Sequence, residues 1–146
     1  MILCWILSLL SGAGYITLSL LQLMPPLIKQ GPWGIKGPLA GDLFGLLATN
    51  LYLAILHLLI GTIALASSKS YKTSQNFCLY GGLFLAALFI FGQANQRIPT
   101  LGGYLPLDLS QDALHLLSST LLLSAYIVNK AMGANNLEQD IAIRHD

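Results

Sequence analysis

Four apolar stretches limit what this chain can fold into. Residues 2–24, 39–66, 76–94 and 108–132 each approach the ~20 residues that a helix needs to cross a bilayer. Proline and glycine break the chain between them. Pro25, Pro26, Gly31, Pro32, Gly34, Gly37 and Pro38 follow the first stretch, and Pro99, Gly102, Gly103 and Pro106 precede the last. Such density of breakers predicts joins without regular structure. Of 146 residues, 55% are hydrophobic and 9% charged, against about 25% charged in soluble domains. The four stretches use up most of the chain and leave no room for a soluble domain. The expectation is an all-α, four-helix transmembrane bundle over residues 1–132, with a polar tail at 133–146.

The first stretch has no Lys or Arg at its start and stays apolar to Met24. It therefore reads as a retained helix rather than a cleaved signal peptide. Its Ser8, Ser11, Gly12, Gly14 and Ser19 let a neighbouring helix approach closely. The third stretch combines Gly81, Gly82, Ala86 and Ala87 with Phe84, Phe89 and Phe91, and reads as scaffold. Asp42 suits the first turn of a helix beginning near Leu39. Trp33, in the first join, suits the headgroup level. Cys4 and Cys78 form no CxxC motif and read as small apolar fillers near one membrane face.

A repeated motif marks the second and fourth stretches. NLYLAILHLLIGTIALASS from Asn50 aligns with DLSQDALHLLSSTLLLSAY from Asp108, pairing Asn50 with Asp108, His57 with His115 and Leu65 with Leu123. In each copy a polar residue precedes the histidine by two helical turns and shares its face. This predicts two repeated helical hairpins, with helices two and four parallel and facing each other through their histidines. Sites in repeat-built membrane proteins lie at such interfaces.

Asn50, His57, Asp108, Asp112 and His115 are the candidate site residues. An ionisable group inside a membrane helix costs about 2.5–3.5 kcal/mol for Asp, Lys or Arg, which marks it for function. Asp112, one turn before His115, can accept a proton from its ring. Three readings follow. In the first, these groups hydrogen-bond between helices for about 0.6 kcal/mol each, with Asp108 and Asp112 capping helix four, and no catalysis occurs. In the second, His57 and His115 are axial ligands of a b-type haem or another tetrapyrrole, with Asp112 orienting His115. In the third, Asp112 and His115 pass protons or ions. The first predicts a non-catalytic accessory or scaffold protein, in a larger membrane complex or a homo-oligomer, without a cofactor.

Enzyme signatures such as HExxH, GxSxG and a phosphate loop are missing,. A net charge of +1 and no basic stripe leave no signal for nucleic acid. Four crossings put both termini on one side. Lys69, Lys72 and Lys130 lie there, against Lys29, Lys36 and Arg97 opposite, with Arg144 tipping the balance towards cytoplasmic termini.

The segment GDLFGLLATNLYLAILHLLIGTIAL resembles the signature of an uncharacterised family of small bacterial four-helix membrane proteins, with Asn50, His57 and Gly61 at its matching positions. LPLDLSQDALHLL is similar to the family's LPLN-x-x-DN-x-LHL, with Asp108, Gln111 and Asp112 replacing its Asn, Asp and Asn while His115 is retained. The resemblance covers about residues 41–128. It implies four helices, membrane location and weight on Asn50, His57 and His115, and it implies no assigned activity.

Overall fold

The computed structural model describes residues 2–30, 34–97 and 103–143, without the side chains of 95–97 and 134–143. Helix α1 spans Leu3–Gln22 and ends ahead of Pro25-Pro26, which begin a single 3-10 turn at Pro25–Leu27. Three short strands follow: β1 at Ile28–Lys29, β2 at Gly41–Leu43 and β3 at Leu47–Thr49. Helix α2 spans Leu51–Ser67, α3 spans Tyr71–Arg97 and α4 spans Leu109–Ile143. The chain is an all-α bundle with one small antiparallel sheet at the end where α2 and α4 begin.

The sheet corrects the expected second helix. Residues 39–49 were expected to open a helix running to Ala66. Instead β2 pairs with β1 (Ile28 opposite Leu43, Lys29 opposite Asp42) and with β3 (Asp42 opposite Ala48). Two glycines explain the difference. A side chain at Gly41 would strike the Lys29 carbonyl, and Gly45 turns the hairpin at φ 77° beside Phe44 at φ 56°. The first two of the three turn residues thus adopt the left-handed conformation that short hairpin loops need. A short apolar run such as LFGLLA does not separate strand from helix by periodicity. Asp42 accordingly sits in a strand, not in a helical first turn, and the first join is not free of regular structure.

Asn50 then starts α2. Its backbone is extended, at φ −157°, and its side-chain oxygen accepts from Leu53 N–H at 2.9 Å. That bond satisfies a donor the helix itself leaves open. Asp108 does the same for α4, accepting from Gln111 N–H at 2.8 Å. Helix α3 begins before the expected Asn76, at Tyr71, and α4 continues past Met132 through most of the expected tail. Trp33, Pro99, Gly102 and Arg144 lie outside the described residues.

The hairpins α1–α2 and α3–α4 are the tightest pairs, and they are built alike. A β-carbon on Gly12 would stand 2.9 Å from Leu65 N, and one on Gly82 would stand 2.9 Å from Leu123 Cγ. Gly61 lies against the Gly12 carbonyl, while Ser119 donates to the Gly82 carbonyl at 2.8 Å. The core between the hairpins holds Cys4, Tyr15, Ile60, Ala64, Phe77, Cys78, Leu85 and Leu122. Both cysteines are free and buried, and the Cys78 thiol donates to the Cys4 carbonyl at 3.7 Å.

Among the described residues, two helices, Leu3–Gln22 and Tyr71–Ala94, are long and apolar enough to cross a membrane. Helix α2 is apolar but spans 17 residues, because expected helical residues 39–50 lie instead in the hairpin and its flanks.

Candidate functional site

The polar groups gather where α1 ends and α2 and α4 begin. Asn50 is fully buried and uses its whole amide. Besides capping α2, its nitrogen donates to the Lys36 carbonyl at 2.8 Å and the Tyr104 carbonyl at 2.7 Å. Both joins are thereby pinned onto the start of α2. Lys36 N–H donating to the Gly103 carbonyl at 3.0 Å ties them to each other.

Two turns below, His57 and His115 meet. Their Nε2 atoms are 3.4 Å apart, and neither ring has any exposed surface. The helices carrying them do not pack closely: α2 packs on α1 and α3, and α4 on α3 and α1. Expected to face each other directly, α2 and α4 instead lie across the bundle, and the rings bridge the middle. Helical side chains lean towards the N-terminus, so His57 reaches up to Gln22, whose amide oxygen takes the Nδ1 hydrogen at 2.8 Å. With Nδ1 protonated, His57 Nε2 is the acceptor and His115 Nε2 the donor across the contact. The Tyr15 ring packs against His57 with centroids 5.4 Å apart.

Asp108 and Asp112 do not join the histidines. Asp108 caps α4 and takes Ala48 N–H at 3.4 Å, tying α4 to β3. Its neighbour Asp42 has its carboxyl pushed above the ordinary value by burial and then by the Asp108 charge. Asp112 is buried and accepts from Gln93 Nε2 on α3 at 2.9 Å. A β-carbon on Gly92 would collide with the Asp112 carboxylate, so glycine is what admits this carboxylate between α3 and α4. His115 does not bond to Asp112 as the sequence suggested; its Nδ1 has no partner among the described residues.

Sequence reasoning missed Gln22, Thr49 and Gln93, and met Gln111 only as a departure from the family pattern. Gln111 donates to the Ala48 carbonyl at 2.8 Å one turn above His115, leaving its amide oxygen unpartnered. Thr49 Oγ1 and Gln22 Nε2 are also buried without a partner among the described residues. A signal for Gln22 existed. Ser8, Tyr15 and Gln22 recur every seven residues of an apolar helix, which places them on one face, and all three are buried.

The bis-histidine haem reading does not fit this geometry. Two axial ligands on one metal ion stand about 4 Å apart, from two metal–nitrogen bonds of about 2.0–2.1 Å, with a macrocycle filling the plane between them. Here the two Nε2 atoms are 3.4 Å apart, the rings are inclined at 58°, and both residues are fully buried. The arrangement is suited to donating and accepting hydrogen bonds among helices.

A model of one protein family matches residues 6–128, most of the chain. The chain belongs to this family. It is described as a domain of unknown function, DUF4383. No curated protein and no solved structure matches the chain. The match takes in all four helices up to Val128, and with them Gln22, Asn50, His57, Asp108, Asp112 and His115.

Proposed function

We propose that the protein is a multi-pass membrane protein of the bacterial inner membrane, with four crossings and both termini cytoplasmic, acting as a non-catalytic accessory or scaffold subunit. The carrying observation is the distribution of side chains. Leu10, Leu59, Ile63, Tyr80, Ile90, Leu117 and Ile127 face outwards, while Gln22, Asn50, His57, Gln111, Asp112, His115 and Asn129 are buried. A water-soluble bundle would place these sets the other way round. In lipid, outward apolar side chains cost nothing, and polar groups turn inwards to find one another.

The polar groups have structural work in this reading. Asn50 and Asp108 cap helices and hold joins. Gln22, His57 and His115 tie α1, α2 and α4 together across the bundle centre. The equivalent glycine contacts of the hairpins support a duplicated α-hairpin as the origin of the fold. Helix α2 spans about 25 Å at 1.5 Å per residue, short of the ~30 Å hydrocarbon core. Local thinning of the bilayer accommodates the short helix, and the sheet, whose edge strand β1 carries the exposed Lys29, sits beyond it at the membrane–water interface.

Two experiments test this. Single cysteines at Ser70 and Leu46, in a background lacking Cys4 and Cys78, should be labelled from opposite sides of the membrane. Labelling from the same side overturns the topology. Extraction into mild detergent should yield a complex larger than the 15.7 kDa chain that holds a second protein species or further copies. Migration as a lone chain in every mild detergent overturns the accessory role.

A further inference from the structure

A groove of about 510 Å³ runs between the outer sides of α2 and α3. Leu59, Ile63, Tyr80 and Phe84 line it, and Ser67 and Asn76 lie at its lower end. On α2 it extends from Ser67 back to Leu56, and on α3 from Thr73 to Phe84. At 1.5 Å per residue this is about 16 Å, the depth of one leaflet of a ~30 Å hydrocarbon core. A helix from another chain would need a groove through both leaflets; a lipid acyl chain needs one.

The polar end is basic. Residues 67–76 contain Lys69 and Lys72 and no Asp or Glu. Both lysines are exposed, Lys72 next in sequence to the lining residue Thr73 and Lys69 just past the lining residue Ser67. Asn76 is exposed at the same end, one turn into α3. The corresponding groove between α1 and α4, about 410 Å³, is lined by Leu7, Leu10, Leu114 and Leu121, and none of its lining residues adjoins a Lys or Arg. Two similar apolar grooves therefore differ in charge at the mouth.

Resting on the membrane reading above, we propose that the α2–α3 groove binds an anionic phospholipid, with one acyl chain along Leu59, Ile63, Tyr80 and Phe84 and the phosphate at Lys69 and Lys72. Basic side chains at a membrane surface attract anionic headgroups, and apolar contact with the chain adds depth. Asn76 donates to the phosphate or glycerol oxygens beside them.

The test is a titration of the purified full-length protein in detergent with phosphatidylglycerol or phosphatidylcholine of equal chain length, read by native mass spectrometry. Wild type should prefer phosphatidylglycerol. Each lysine contributes about fivefold, so Lys69→Gln/Lys72→Gln should lower the preference by about 25-fold. Ile63→Trp, at an exposed position in the groove, should weaken both lipids, and Leu10→Trp in the other groove should leave the preference unchanged. No preference in wild type, a preference that survives loss of both lysines, or a lipid-free dimer overturns the site. Alkaline carbonate extraction of the same membranes separates the two claims. Release of the protein overturns the membrane reading itself, whereas retention without lipid preference overturns only the lipid site.

Discussion

Gly12 packs against Leu65 so closely that a β-carbon on the glycine would stand 2.9 Å from the leucine backbone nitrogen. In the second hairpin Gly82 meets the Leu123 side chain instead, whose Cγ would stand 2.9 Å from a β-carbon there. The first of these contacts is against backbone, so glycine at position 12 is what lets α1 and α2 come this near,.

Glycine replacements should separate by position. Gly61→Val should destabilise the protein by about 2–3 kcal/mol by overpacking, since a β-carbon would stand 2.8 Å from Ile16 N. Gly14→Ala, with nothing within 4 Å, should be neutral or stabilising by up to ~1 kcal/mol. Unfolding in detergent measures both, and equal effects would contradict the close-packed hairpin.

Asn50→Ala removes a cap and the donor to the Lys36 and Tyr104 carbonyls, for a loss of about 1–3 kcal/mol. Asn50→Asp keeps the cap acceptor but turns an anion towards the Lys36 and Tyr104 carbonyls. It should therefore not restore the wild-type melting temperature. Recovery by Asp would mean that the cap alone matters.

A double-mutant cycle on His57→Phe and His115→Phe should give a coupling of about 0.5–1.7 kcal/mol, the range of interhelical hydrogen bonds in membranes. The purified protein should show no Soret band in either redox state, because the rings touch where a macrocycle would lie. A band lost in the double variant would reverse that conclusion.

The Asp42 carboxyl lies above its ordinary value of 3.8 through burial and the Asp108 charge. A raised folded value means that the folded state holds the proton more tightly than the unfolded one. The associated stability is present below pH 3.8 and is lost as pH rises through the folded value. Asp42→Asn should therefore raise the melting temperature at pH 7, and the gain should vanish near pH 3.5. A gain that persists at pH 3.5 would exclude this charge effect.

The sequence alone determined the helical class, the four apolar stretches and the kinship of the two histidine segments, because hydrophobic length and repeated spacing are local signals. It also marked Asn50, His57, Asp108, Asp112 and His115. What each of them bonds to was decided by tertiary structure. Asp112 lies one turn from His115 in sequence, yet it bonds Gln93 on α3, because Gly92 opens room for it there. Gln22, distant from every motif, reaches His57 only because α1 and α2 fold back on each other. Residues 41–49 form strands because β1, supplied from beyond the proline break, is there to pair with β2. Pairing between segments distant in sequence leaves no periodic trace in either one, so only the assembled fold reveals it.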